Sequence, residues 1–94
     1  MRYFIYLLIS VSKKKVISYV GYTVDIKNRL KLHNTSKGAK FTRGRKWLLI
    51  YKKGFISKSE ALKEEHKLKK NYKKRNEIKI KFLKKNEDID FTTL

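Results

Sequence analysis

Neither cysteine nor proline occurs in the 94 residues, and glycine occurs only four times. Without cysteine there is no disulfide framework and no thiolate zinc site. Histidine is scarce as well: His33 and His66 do not furnish a multi-histidine metal centre within one chain. No internal repeat, proline-rich linker or low-complexity tract marks off a second domain, and the length suits one. A chain this short buries a modest share of its surface, so its core must be small. Long apolar runs are also missing. The strand-like run from Tyr3 to Val11 is far shorter than a membrane span. Lys13, Lys14 and Lys15 follow it, whereas a secretory signal carries its charges ahead of the apolar run. The expectation is an intracellular, cytoplasmic protein with neither a membrane nor an obligate protein partner.

Negative charge is the remaining scarcity. Eight Asp and Glu stand against 26 Lys and Arg, a formal net charge of +18. A field of that size attracts polyanions and speeds encounter with them, and a nucleic-acid backbone is the commonest polyanion large enough to answer it. The lysine-rich composition of an AT-rich genome is the bland alternative. Charge alone does not separate a nuclease from a ribosomal protein or a membrane-surface binder.

What is present reads as a short α+β chain. Tyr3 to Ile9 is rich in aromatic and branched residues without helical period, which predicts a central strand buried on both faces. Ser12 to Lys15 is a polar turn, and Val16 to Val20 is a second strand, giving a hairpin. Thr23 is placed to cap a helix beginning near Val24, with Asp25 at its positive end. On that helix Ile26, Leu30 and His33 share one face. Residues 34–45 form a polar loop, and Trp47 to Tyr51 a third strand ending before Gly54. Ser57-Lys58-Ser59-Glu60 has the form of a capping box, so a second helix starts there, with Ala61, Leu62, Leu68 and Tyr72 as its apolar stripe. Ile78 to Phe82 alternates like a strand but also suits a short third helix, which is the reading preferred. The prediction is a small three-stranded antiparallel sheet flanked by helices, in the order β-β-α-β-α, within a domain over residues 1–85. Residues 86–94 hold Glu87, Asp88 and Asp90 and no basic residue, and are expected to form a loose acidic tail.

Some polar residues fall where chemistry could be housed. Glu65 shares a helix face with Ala61, Leu62 and Leu68, and a carboxylate held inward needs a partner because stranding it costs several kcal/mol. That partner is either a divalent cation or a basic side chain such as Arg29. Glu64 turns about 100° away and reads as solvated surface. Arg29 and His33, four apart, stack on one helix face and can address one phosphate together. An arginine at a helix edge beside a satisfied histidine explains the same pattern. Tyr6 and Tyr19 lie on adjacent strands, where aromatics ordinarily pack.

Taken together, order and spacing resemble the GIY-YIG nuclease family. Phe4-Ile5-Tyr6 resembles the first triplet and Tyr19-Val20-Gly21 the second, across a short hairpin. Thr23, then Arg29, His33 and Asn34, are similar to the family's helix, and Gly38 to Arg43 to its polar loop. Gly54-Phe55, Ser59 to Leu62 and Glu65 resemble the segment that carries the metal-binding glutamate. The resemblance spans roughly residues 2 to 82 and is nearest to small stand-alone members. Two features depart from it. Phe4 stands where the family name has glycine, and the proline common near the third strand is absent. Asn71 and Asn76 lie near the place of a supporting asparagine, and neither is assigned.

The resemblance implies phosphodiester hydrolysis by in-line attack of water. Glu65 would hold one Mg²⁺ or Mn²⁺, Tyr6 would be the general base, and Arg29 would neutralise phosphate oxygens. Tyr19 and His33 would position the phosphate or relay protons. A phenol ordinarily titrates near 10, so Tyr6 would need a cationic neighbour or His33 to favour its phenolate. Lys37, Lys40, Arg43, Arg45 and Lys46 would bind the nucleic-acid backbone, which positions without reading sequence. The implied partner is DNA, with RNA not excluded, cut nonspecifically or by structure. The rival expectations are a binding module of the same fold with little or no turnover and a lysine-rich ribonucleoprotein component.

Overall fold

A computed structural model describes residues 2–12 and 15–85. The order is β1 (Tyr3–Val11), β2 (Val16–Thr23), α1 (Ile26–Asn34), a 3-10 turn (Lys40–Thr42), β3 (Leu48–Phe55), α2 (Lys58–Lys70) and α3 (Tyr72–Lys85). The strands form one antiparallel sheet in the order β2-β1-β3, with helices packed on it, so the α+β expectation holds. Among the described residues no helix is long and apolar enough to cross a membrane. Lys13, Lys14 and the acidic segment 86–94 lie outside the described residues.

β1 is central because both of its neighbours bond to it, and its residues from Ile5 to Ser10 are all buried. Successive side chains of a strand point to opposite faces. Ile5 and Leu7 therefore face one layer, where Val20, Phe55, Ala61 and Leu68 complete an apolar cluster under α2 and α3. Tyr6 and Leu8 face the other, packing with Trp47, Tyr19, Ile26, Leu30 and Leu49 beneath α1. On β3 the register slips, since Leu7 pairs with Tyr51 and Leu8 with Leu49. The extra residue, Ile50, is a bulge, and it lets both Ile50 and Tyr51 pack against the aliphatic cluster.

Several details differ from the sequence reading, each for a local reason, and β2 runs on to Thr23 rather than ending at Val20. α1 starts at Ile26 with Asp25 as its cap, because Thr23 is still paired with Phe4 in the sheet. The Thr23 hydroxyl instead accepts the Asp25 N–H at 3.1 Å, and the Asp25 carboxylate accepts the Asn28 N–H at 3.1 Å. β3 runs through Gly54 to Phe55 because Lys52, Lys53 and Gly54 continue to pair with Tyr6, Ile5 and Phe4. An edge strand needs ladder bonds more than apolar side chains. On α2, Ala61 and Leu68 are buried as expected, but Leu62 is exposed and Tyr72 belongs to α3, 67% exposed. Finally, α3 is a helix of 14 residues rather than a short piece. Asn71 starts it by accepting the Lys74 N–H, and Arg75 Nη1 returns to the Leu68 carbonyl at 2.9 Å, closing the end of α2. The N-cap expected at Ser57 is present, its hydroxyl accepting the Glu60 N–H at 3.3 Å.

Phe4 finds its room in the neighbouring strand. It sits opposite Gly54, and a Cβ there would lie 3.1 Å from the Phe4 ring. The ring occupies space that the partner strand leaves open.

Candidate active site

The α1 face of the sheet carries a buried polar chain. Tyr6 Oη lies 2.8 Å from His33 Nε2, and Arg29 Nε donates to the same oxygen at 3.4 Å. On its far side His33 Nδ1 lies 2.8 Å from Thr42 Oγ1, which itself donates to the Ala39 carbonyl at 2.8 Å. These contacts decide the protons. Thr42 has one hydroxyl hydrogen and gives it to Ala39, so it must accept from His33 Nδ1–H. The neutral ring then has its lone pair on Nε2, where it accepts the Tyr6 O–H. Among the described residues no buried side-chain polar atom lacks a partner.

Burial governs the titration of both groups. His33 is fully buried, and desolvation, followed by the Arg29 charge, lowers its pKa below the ordinary 6.5. Burial raises Tyr6 above 10.0; Arg29 pulls it down, while the charges of Tyr19 and Glu65 push it up, and the net direction is upward. The resting pair is therefore phenol and neutral imidazole. Burial outweighs Arg29, so a base role for Tyr6 requires help, and His33 Nε2 is the group in contact with its hydroxyl. Both His33 nitrogens are engaged inside the protein, one at Tyr6 and one at Thr42.

Two glycines make this arrangement sterically feasible. Gly21 is opposite Tyr6 in the register, and a Cβ there would collide with the Tyr6 hydroxyl and ring. A Cβ at Gly38 would collide with His33 Nδ1, so the loop crosses the imidazole only as glycine. The same loop is tied at its ends: Gly44 N–H donates to Ser36 Oγ at 3.0 Å, and Asn34 Oδ1 accepts the Trp47 N–H at 2.6 Å. Trp47 Nε1 donates to the Thr42 carbonyl at 2.9 Å, fixing the 3-10 turn against the core.

Of the five site residues expected from sequence, the structure brings Tyr6, Arg29 and His33 into one hydrogen-bonded chain. Tyr19 joins it through ring contacts, 5.1 Å from His33 and 6.5 Å from Tyr6 between centroids. Glu65 stands apart. Its side chain is 18% exposed, and its ion pair is with Lys69 at 3.6 Å rather than with Arg29. Its carboxylate is the weakest of the influences that raise the Tyr6 pKa. Glu64 pairs with Lys67 at 3.5 Å near the surface. Lys37, Lys40, Arg43, Arg45 and Lys46 line the segment that carries Thr42, and all five are exposed. Asn71 is occupied in capping α3.

Thr42 holds His33, yet the sequence marks it only as one residue of the Gly38–Arg43 loop. A threonine between Phe41 and Arg43 in a polar loop carries no periodic or spacing signal, and only the fold lays it against the imidazole.

Among the described residues no three His, Asp or Glu gather as a ligand cluster. Glu65 offers a single hard carboxylate, half-buried, balanced by a lysine beyond close hydrogen-bonding distance. That fits a hard cation retaining most of its water and does not fit an all-protein cage.

A three-stranded sheet with a tyrosine of β1, a tyrosine of β2, an arginine and histidine of α1 and a glutamate of α2 defines a class. Residues 2–79 match the GIY-YIG catalytic domain, and the chain belongs to the GIY-YIG family. Its relatives carry a narrower name. A UPF0213 protein of Streptococcus pneumoniae serotype 4 is 51% identical over 71 residues, which are 74% of this chain and 69% of that protein. A UPF0213 protein of Oceanobacillus iheyensis is 52% identical over 52 residues, 54% of this chain and 60% of that one. The solution NMR structure of a UPF0213 protein from Bacillus halodurans is 35% identical, covering 86% of this chain and 84% of that chain, with a TM-score of 0.49.

Proposed function

We propose that this protein is a DNA endonuclease that hydrolyses phosphodiester bonds with Mg²⁺ or Mn²⁺, acting nonspecifically or on DNA structure. The observation that carries the reading is the directed hydrogen-bond chain from Tyr6 through His33 to Thr42, beside Arg29 and within the electrostatic reach of Glu65. A structural tyrosine needs only one partner. Here the hydroxyl has both an acceptor, His33, and a charged donor, Arg29.

The chain's own groups divide the work as follows. Water approaching Tyr6 Oη loses a proton to it as the Tyr6 proton passes to His33 Nε2. The water oxygen bonds to phosphorus and the bond to the leaving oxygen breaks. Because Nδ1–H is already held by Thr42, His33 takes the proton without turning its ring. The incoming phosphate offsets the Arg29 charge that lowers His33, so the imidazole becomes a better base when substrate is in place. Arg29 neutralises non-bridging oxygens as charge builds. Tyr19 packs beside both rings and limits where the phosphate sits. Glu65 would hold the divalent cation, which supplies Lewis-acid stabilisation of charge on the phosphate and leaving oxygen. Lys37, Lys40, Arg43, Arg45 and Lys46 would grip the backbone without reading bases. GIY-YIG nuclease domains act on DNA, which favours it as the substrate.

Nicking of supercoiled plasmid and of a branched DNA, with Mg²⁺, Mn²⁺ or EDTA, tests the proposal beside Glu65→Ala. Cleavage that requires metal and is lost in the variant is the expected result. Equal binding by both proteins with no cleavage of either DNA would overturn it in favour of a binding module.

A further inference from the structure

Phe41 is the residue the proposed mechanism leaves unused. It is 59% exposed, yet its position is closely determined. Its ring stacks on Tyr19, with centroids 6.1 Å apart and planes at 20°, and leans on Trp47 at 6.3 Å. The next residue, Thr42, is fully buried and holds His33. Consecutive residues of one turn therefore touch two site residues, Phe41 the ring of Tyr19 and Thr42 the ring of His33. A solvent-facing aromatic side chain is anchored at a set distance from the candidate chemistry.

Beside it lies an open groove of about 280 Å³, lined by Ser18, Tyr19, Val20, Phe41, Lys69 and Arg75. Two aromatic rings form one part of its lining and two cations another. Arg75 is held in place through its bond to the Leu68 carbonyl, and Lys69 through its pairing with Glu65. Lys40 and Arg43 flank Phe41 in the chain. An anionic strand with a flat, uncharged ring is the ligand this lining complements.

We infer that Phe41 and Tyr19 form a stacking platform for one unpaired base of a DNA strand next to the scissile phosphate. A base inside a continuous duplex has both faces covered by its neighbours, whereas an unpaired base has a face to offer. The neighbouring phosphates run along Lys69 and Arg75. The preferred substrate is then a duplex with a flap, overhang or branch, and a fully paired duplex is the poorer one. The inference rests on the nuclease reading of this site and deepens it by naming the substrate class.

The test measures stacking without cleavage. A flap DNA carrying 2-aminopurine at the unpaired junction position is titrated with the whole protein in EDTA, beside a fully paired duplex. The expected result is quenching of the 2-aminopurine on the flap. Phe41→Ala should abolish most of that quenching and weaken flap binding about tenfold, the scale of base–aromatic stacking, with Phe41→Trp retaining both. Duplex binding should change by less than about twofold in either variant, since backbone contacts remain. Unchanged quenching in Phe41→Ala, or equal loss on flap and duplex, would overturn the platform. Quenching in EDTA by a protein that cuts neither DNA once Mg²⁺ or Mn²⁺ is added would leave the platform standing and remove the nuclease reading. Cleavage of the flap with no response to Phe41→Ala would do the reverse.

Discussion

The two faces of β1 are built to different rules. On one, Ile5 and Leu7 meet Val20, Phe55, Ala61 and Leu68 in a wholly apolar cluster, with α2 and α3 as its cover. On the other, Tyr6 and Leu8 meet Tyr19, Trp47 and the inner side of α1, and the tyrosine hydroxyl opens a polar chain through His33 to Thr42. The first face tolerates apolar side chains of suitable volume. The second depends on the direction of each proton, because a buried donor or acceptor without its partner costs free energy that packing does not return. Stability and chemistry are thus separated by one residue step along a single strand, and substitutions on the two faces should fail in different ways.

Tyr6→Phe offers the largest contrast. It removes one oxygen from the polar face, and cleavage should fall by about 10² to 10⁴, the usual contribution of an acid–base group. Single-turnover rates, taken with saturating DNA, check this. Leu7→Ala acts on the opposite face. It should lower unfolding free energy by about 2–5 kcal/mol in denaturant titrations. The fraction still folded should keep its turnover, and a parallel loss of rate would show that the faces are not independent.

Thr42→Val comes next. It leaves His33 Nδ1–H without an acceptor and should cost about 1–3 kcal/mol. It also removes the restraint that places the lone pair on Nε2. The pH profile of cleavage should therefore shift, and Thr42→Ser should restore it. Loss of stability with an unchanged profile would reduce Thr42 to a structural role.

Acid should weaken the polar face specifically. His33 titrates below its ordinary 6.5 in the folded protein, so the unfolded chain binds the proton more readily. The stabilisation is complete above 6.5 and is lost as pH falls through the lower folded value. Melting temperatures measured downward from pH 7.5 should drop more steeply in the native chain than in His33→Gln. Tyr6 has the opposite sign: raised above 10.0, it favours the folded state until pH rises past that value. The smallest effect belongs to Glu64→Gln. Near the surface and paired with Lys67, it should alter stability by no more than about 0.5 kcal/mol and leave cleavage untouched. A loss matching that of Glu65→Ala would reverse the assignment of the two carboxylates.

Elements with a strong local signal are legible in the sequence itself. Tyr3–Ile9 as the central strand, the hairpin, the inward face of Ile26, Leu30 and His33, and the Ser57 cap all follow from period or cap chemistry within a few residues. The length of α3 is not legible in this way, because Ile78 and Ile80 alternate like strand residues. In the helix Ile78 packs on the core, whereas Ile80 is exposed. The place of Glu65 on a helix face is readable from its spacing, while its ion partner is not, because Lys69 and Arg29 both lie within plausible reach.

Composition and periodicity alone determined a small, cationic, three-stranded α+β chain, and the order of its tyrosines, arginine, histidine and glutamate pointed to the family. Tertiary structure decided the rest. Which tautomer His33 adopts, why Tyr6 rests as a phenol, how Gly21 and Gly38 clear space, and where Phe41 faces all depend on contacts between residues far apart in sequence. Periodicity reports which face of an element is buried. Proton direction and desolvation depend on what the fold lays against that face.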